Sequence, residues 1–217
     1  MRALLVDNDR LLLDSLRLSI ETRYPELTLD VAADETQALL SAATYRHELI
    51  LLDWWLGSEA AHGCFKRLQE IDPDTRIVVM SGDDSPQLVS TALGLGAAGF
   101  LRKHAADFDT LRQALDVVLR GGIYLPGQLP VSSSVSPSVR PSWVARELSE
   151  CFPGVTGRQL EVLRVLLRGK SDKMIARQLD IATSTVKTHV QALYRQLGVS
   201  GRAEAVALAA RLGARIE

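Results

Sequence analysis

The chain has 217 residues, 47% of them hydrophobic, which predicts about two ordinary domains and excludes wholesale disorder. The first apolar run, residues 3–6, is too short for a secretion signal, and no stretch approaches the roughly 18 apolar residues of a membrane span, so a cytoplasmic protein with no membrane partner is expected. The net charge of −1 conceals an acidic first part, 12 Lys and Arg against 19 Asp and Glu in residues 1–130, and a basic last part, 11 against 5 in residues 155–217, the footprint of a nucleic-acid-binding unit.

Up to about residue 125, short apolar runs alternate with amphipathic segments, and residues 3–6, 27–31, 49–52, 77–80 and 99–101 are predicted strands. Strand and helix alternating at this spacing predict an α/β, doubly wound, five-stranded parallel sheet with helices on both faces. Ligands of such a sheet bind beyond the carboxyl ends of its strands. Asp7 ends the first strand, Asp53 in "LILLDWWLG" the third and Ser81 in "IVVMSGDD" the fourth, and Lys103 in "GFLRKH" follows the fifth. Each alone has an ordinary explanation as a helix cap or a solvated cation. Together, two carboxylates, a hydroxyl and an ammonium at one edge can hold Mg²⁺ and a phosphoryl group.

The stretch "LPGQLPVSSSVSPSVRPS" cannot bury a core and is predicted to be a flexible linker, which "WVARELSECF" extends with a short helix. The predicted domains are therefore residues 1–125, a linker over 126–152 and a small all-α unit over 153–217. In that last unit Thr156 and Gln159 form a capping box, Gly169 stops the first helix, and Ser171 caps a second that ends near Leu179. A turn at Asp180, Ile181 and Ala182 leads to a third helix over 183–197, closed by Gly198, and a fourth covers about 202–212. On the third helix Val186, Val190, Leu193 and Leu197 make one apolar stripe and leave Lys187, Thr188, Gln191 and Arg195 on the opposite face. A basic second helix after a short turn suits the major groove of DNA, with polar side chains at base edges and cations at phosphates.

On these residues the first 125 positions resemble a response-regulator receiver domain, a flavodoxin-like fold. The resemblance implies that Asp53 is the phosphoacceptor, served by a sensor histidine kinase, and that Asp7, Asn8, Asp53 and the Trp55 carbonyl surround Mg²⁺. It also implies that Ser81 and Lys103 contact the phosphoryl oxygens and that Phe100 is a switch aromatic. Three departures stand out: Asn8 replaces the usual second acid, His104 the common proline after the lysine, and "WLG" the common "MP" after the phosphoacceptor. Losing one carboxylate is expected to weaken Mg²⁺ binding. The C-terminal unit resembles the LuxR-type helix-turn-helix of NarL/FixJ-type regulators through "T.R..EVL", "G.S.K.IA..L.I...TVK.H" and "LGV..RAE". This implies that Lys173 joins Lys187, Thr188, Gln191 and Arg195 at double-stranded DNA, and that an Ala203, Val206 and Ala210 stripe on the last helix pairs two copies as a homodimer.

The chain is thus expected to be a transcriptional response regulator rather than an enzyme. One alternative is a DNA-binding regulator that works without phosphorylation. Another takes "DND" as the DxD of a haloacid-dehalogenase-like phosphatase, with Asp7 as nucleophile and Asp9 as acid/base; it leaves Asp53 without a role and lacks an acidic pair at a strand end after Lys103, since Asp107 and Asp109 open a helix. Cys64 and Cys151 have no ligand spacing and are expected to be free thiols.

Overall fold

The computed structural model describes residues 1–57, 59–103, 108–125 and 146–216. Its N-terminal unit runs β1 (Arg2–Val6), α1 (Arg10–Arg23), β2 (Thr28–Ala32), α2 (Glu35–Thr44), β3 (Leu49–Asp53), a small hairpin of β4 (Trp55–Leu56) and β5 (Glu59–Ala60), then α3 (His62–Ile71), β6 (Arg76–Ser81), α4 (Pro86–Leu95), β7 (Gly99–Arg102) and α5 (Phe108–Leu119). The five long strands are all parallel in the order β2-β1-β3-β6-β7. They coincide with the five predicted strands to within a residue or two at each end.

The sequence reads as apolar runs because both faces of this sheet are covered. Leu4, Val6, Ile50, Leu52, Ile77, Val79 and Phe100 face one side and pack with Ala38 of α2, Phe65 and Leu68 of α3, and Leu88 and Ala92 of α4. The intervening Ala3, Leu5, Leu49, Leu51, Val78, Met80 and Leu101 face the other, against Leu13 and Ile20 of α1 and Leu111, Leu115 and Val118 of α5. The β4–β5 hairpin lies between β3 and α3, where no alternating pattern announced it. Beyond α5 the chain returns to the sheet edge, where Tyr124 bridges to Gly99 and its carbonyl accepts from Phe100 N at 2.8 Å, so β7 does not present a bare ladder.

The C-terminal unit comprises α6 (Leu148–Cys151), α7 (Gly157–Leu167), α8 (Asp172–Leu179), α9 (Thr183–Leu197) and α10 (Arg202–Arg211). Its boundaries follow the local chemistry. Thr156 and Gln159 close a reciprocal capping box on α7, Ser171 accepts from Met174 N at the start of α8, and Gly198 ends α9 in the left-handed region at φ 67°. Asp180 takes the same left-handed conformation, φ 51°, to make the turn from α8 to α9. Val186, Val190 and Leu193 are buried as their spacing predicts.

The residues predicted as linker lie outside the described residues from 126 to 145, as do His104 and Asp107. Residues 146–152 pack onto the C-terminal helices: Arg146 bridges to Ala214, and Leu148 and Phe152 are buried with Val162, Leu166 and Val206. Leu93 of α4, Ile123 and Leu125 join that same cluster, so the two units share a seam.

Two substitutions probe the two cores. Phe65→Ala, at a fully buried ring, should cost about 3–5 kcal/mol, whereas Thr156→Ala should cost about 1 kcal/mol through its lost cap. Urea unfolding of the full chain checks both, and equal losses would contradict this packing.

Candidate functional site

β1 and β3 are adjacent and parallel, so Asp7 and Asp53 leave the sheet side by side, both buried. Two carboxylates so close and so little hydrated need a cation. Lys103, just past β7, provides it: its Nζ lies 2.6 Å from Asp7 Oδ2 and 2.8 Å from Asp53 Oδ2. Burial pushes the Asp53 carboxyl above its ordinary range, with the Asp7 charge adding to that and the Lys103 hydrogen bond opposing it. Burial also works against the Lys103 ammonium, but its close contacts with the Asp53 and Asp7 carboxylates outweigh the loss and hold it above its ordinary range. Lys103 is therefore a fixed positive charge at neutral pH.

The other oxygens are held by backbone. Asp7 Oδ1 accepts from Asp9 N at 2.9 Å and Asp53 Oδ1 from Trp55 N at 3.2 Å. Ser81 is fully buried at the end of β6, beside the strand that carries Asp53, and its Oγ accepts from Asp83 N at 3.1 Å. The Phe100 ring is fully buried among the residues of the α2–α3–α4 face. Asn8 is exposed at the mouth. Asp9 turns away from the site and caps α1, accepting from Leu11 N and Leu12 N at 3.0 and 3.2 Å. That use of Asp9 removes the acid/base that a phosphatase reading of "DND" requires.

The donor set suits a hard cation. Asp7 Oδ2 is buried and, although it faces Lys103, accepts no aligned hydrogen bond. The Trp55 carbonyl is also spared: Ala61 N donates to Trp54 O at 2.7 Å, which makes Trp55 and Ala60 a non-hydrogen-bonded pair of the β4–β5 hairpin. Two carboxylates and one carbonyl, with remaining positions left to water or phosphate, fit Mg²⁺. Among the described residues no group of three or more His, Cys, Asp or Glu offers a fuller cage.

A second constellation lies on α8 and α9. Lys173, Lys187, Thr188, Gln191 and Arg195 are all exposed, while the opposite side of α9 is buried. The Thr188 hydroxyl donates to Ser184 O at 3.1 Å, which leaves its methyl and an acceptor lone pair toward solvent. The stripe proposed for pairing needs correction. Val206 and Ala210 are buried inside the C-terminal unit itself, so they are not an outward face. Ala203 and Ala207 of α10 are half-buried and line a groove with Val89, Ser90 and Leu93 of α4. Helical spacing marks an apolar stripe but does not say which core it enters.

Sequence reasoning missed the cations at the seam. Arg202 donates to the carbonyls of Gly169, at 3.2 Å, and Lys170, at 2.6 Å, and the buried Lys170 ammonium donates across the seam to Pro73 O. No periodicity within either unit carries that signal.

Comparison with known proteins identifies the two domains that carry these residues. Residues 3–116 match the family described as response regulator receiver domain, and residues 154–209 match bacterial regulatory proteins, luxR family. The chain is similar to the glycerol metabolism activator of Pseudomonas putida, 30% identical over 208 residues that cover 94% of this chain and 93% of that protein. It is equally similar to the nitrate/nitrite response regulator protein NarL of Escherichia coli, 30% identical over 93% of this chain and 91% of that one. A solved LuxR family DNA-binding response regulator from Silicibacter pomeroyi is 30% identical, covering 58% of this chain and 98% of that chain at a TM-score of 0.52. The chain therefore belongs to the response regulators that join a receiver domain to a LuxR-type DNA-binding domain, a family of transcriptional regulators and not of enzymes.

Proposed function

We propose that this regulator is a cytoplasmic protein phosphorylated on Asp53 by a partner histidine kinase, with Mg²⁺, and that phosphorylation controls its dimerisation and its binding to promoter DNA. The observation that carries the reading is the Lys103 ammonium held between Asp7 and Asp53 at the carboxyl ends of three strands. In the transfer step an Asp53 oxygen forms a bond to phosphorus as the bond from phosphorus to the donor nitrogen breaks, and that nitrogen leaves with its proton. Lys103 exchanges part of its contact with Asp53 for a phosphoryl oxygen, and the Ser81 hydroxyl, released from Asp83 N, donates to another. Mg²⁺, when bound, neutralises phosphoryl charge, and Asp7, Asp53, Asn8 and the Trp55 carbonyl are the groups that would hold it. Phe100, sharing β7 with the approach to Lys103, is the aromatic whose packing would respond.

On the DNA side, Lys187, Thr188, Gln191 and Arg195 would enter the major groove, with Lys173 at the backbone. Phosphorylation need favour the dimer-competent state by only a few kcal/mol to act as a switch. A second reading, regulation without phosphate, is favoured by one specific observation: with Asn8 in place of an acid, Lys103 alone already neutralises much of the charge of the two carboxylates.

Incubation with phosphoramidate and Mg²⁺, followed by peptide mass mapping, separates the two. One acid-labile phosphate on Asp53 is expected in the wild type and none in Asp53→Asn. Incorporation that survives this substitution would sink the assignment, and none in the wild type would favour the second reading.

The metal site offers an independent check through Trp54 and Trp55, which directly follow the acceptor. Asn8→Asp adds a carboxylate at nearly constant size and should tighten Mg²⁺ binding several-fold, about 1 kcal/mol, in a tryptophan fluorescence titration. Asp9→Asn, whose side chain caps α1, should leave the titration nearly unchanged. The opposite ranking would make Asp9 the second ligand.

A further inference from the structure

The exposed face of α9 carries an apolar group at its centre. With about 3.6 residues per turn, Thr188 stands roughly 160° around the helix from both Val186 and Val190, which are buried, so it points out of the domain. Ser184 and Arg195 share that direction, and Lys187 and Gln191 lie beside it. All five residues are exposed. The other four end in hydroxyl, guanidinium, ammonium or amide groups, so the Thr188 methyl is the apolar spot among them.

The Thr188 hydroxyl is already spent as a donor. It donates to the Ser184 carbonyl at 3.1 Å, and this bond selects one of the two rotamers open to a helical threonine. The methyl is thereby held in one direction before DNA arrives, with no further side-chain freedom to lose on binding. Thr22, Thr44 and Thr91 make the same bond to the carbonyl four residues back, so the bond alone is ordinary. Those three lie on receiver helices α1, α2 and α4. Thr188 differs in its place, within the first two turns of the second helix of a helix-turn-helix, the part that contacts base edges.

In the major groove every base pair presents donors and acceptors, but of the four unmodified bases only thymine adds an apolar group, its C5-methyl. A threonine whose one donor is committed has none left for the N7 of a purine or the O6 of guanine. Its fixed methyl instead matches the apolar feature of thymine. We propose that Thr188 reads a thymine through the C5-methyl group and is a specificity-determining residue for the DNA site; this rests on the DNA-binding reading of the C-terminal domain.

The test uses the full chain and a duplex that the wild-type protein selects from a random pool. Deoxyuridine replaces each thymidine in turn, which deletes the methyl and leaves every donor, acceptor and phosphate in place. Fluorescence anisotropy of the wild type should find a position where uracil weakens binding about fourfold per half-site, the value of one buried methyl group. Thr188→Val keeps a methyl there, drops the hydroxyl and should preserve that penalty. Thr188→Ser keeps the hydroxyl, drops the methyl and should bind the thymine and uracil duplexes equally. The proposal is overturned, with the DNA-binding reading intact, by any of three results: no thymine with such a penalty, a penalty that survives in Thr188→Ser, or one that Thr188→Val also abolishes. A wild-type protein that selects no sequence and binds no duplex overturns the DNA-binding reading and the proposal together.

Discussion

Everything at the carboxylate edge of the sheet depends on one ammonium. Asp7 and Asp53 are brought together by the adjacency of β1 and β3 and are buried by the helices on both faces, an arrangement that disfavours two ionised carboxylates. Lys103 makes it tenable by lying within 2.8 Å of both. Because the lysine arrives from β7, at the far edge of the sheet, the site assembles only when the fold is complete. A receiver with Asn8 has one negative charge fewer to balance than the usual pair of acids presents, so this one cation goes further toward neutrality here.

The route from that site to the DNA-binding domain is short. Ser81 ends β6, the loop beyond it holds Asp83 and Asp84, and α4 begins at Pro86. Asp84 pairs with Arg102 of β7 at 3.1 Å, tying the two segments that carry Ser81 and Lys103. The outer face of α4 then meets Ala203 and Ala207 of α10, and Leu93 enters the core of the C-terminal domain. A shift at Ser81 or Lys103 therefore has packed neighbours through which to reach α10. Adjacency supplies the means; a change in DNA affinity is what would demonstrate the coupling.

Much of this was legible in the sequence because local chemistry and global fold agree. The five strands showed as apolar runs because the sheet is covered on both sides, and the helix ends of the C-terminal domain showed because Thr156, Ser171 and Gly198 do what such residues do elsewhere. The strand-end rule also places Asp7, Asp53, Ser81 and Lys103 at one edge of the sheet. What stayed illegible was of two kinds. The β4–β5 hairpin has only two residues in each strand, too few for a period. The seam depends on contacts such as Lys170 to Pro73 and Gly96 to Gly169, between positions far apart in the chain, and a single sequence carries no signal for them. The family resemblance implies a partner surface for Val206 and Ala210, but here they fill their own domain.

The central claim is that the carboxylate edge governs DNA binding, and one comparison tests it most directly. A duplex selected by the wild-type protein from a random pool would be titrated with and without beryllium fluoride and Mg²⁺, the fluoride acting as a phosphate mimic at Asp53. The account predicts binding tightened about tenfold or more with the mimic, a shift of about 1.4 kcal/mol. Equal affinities, with the mimic shown to be bound, would contradict it.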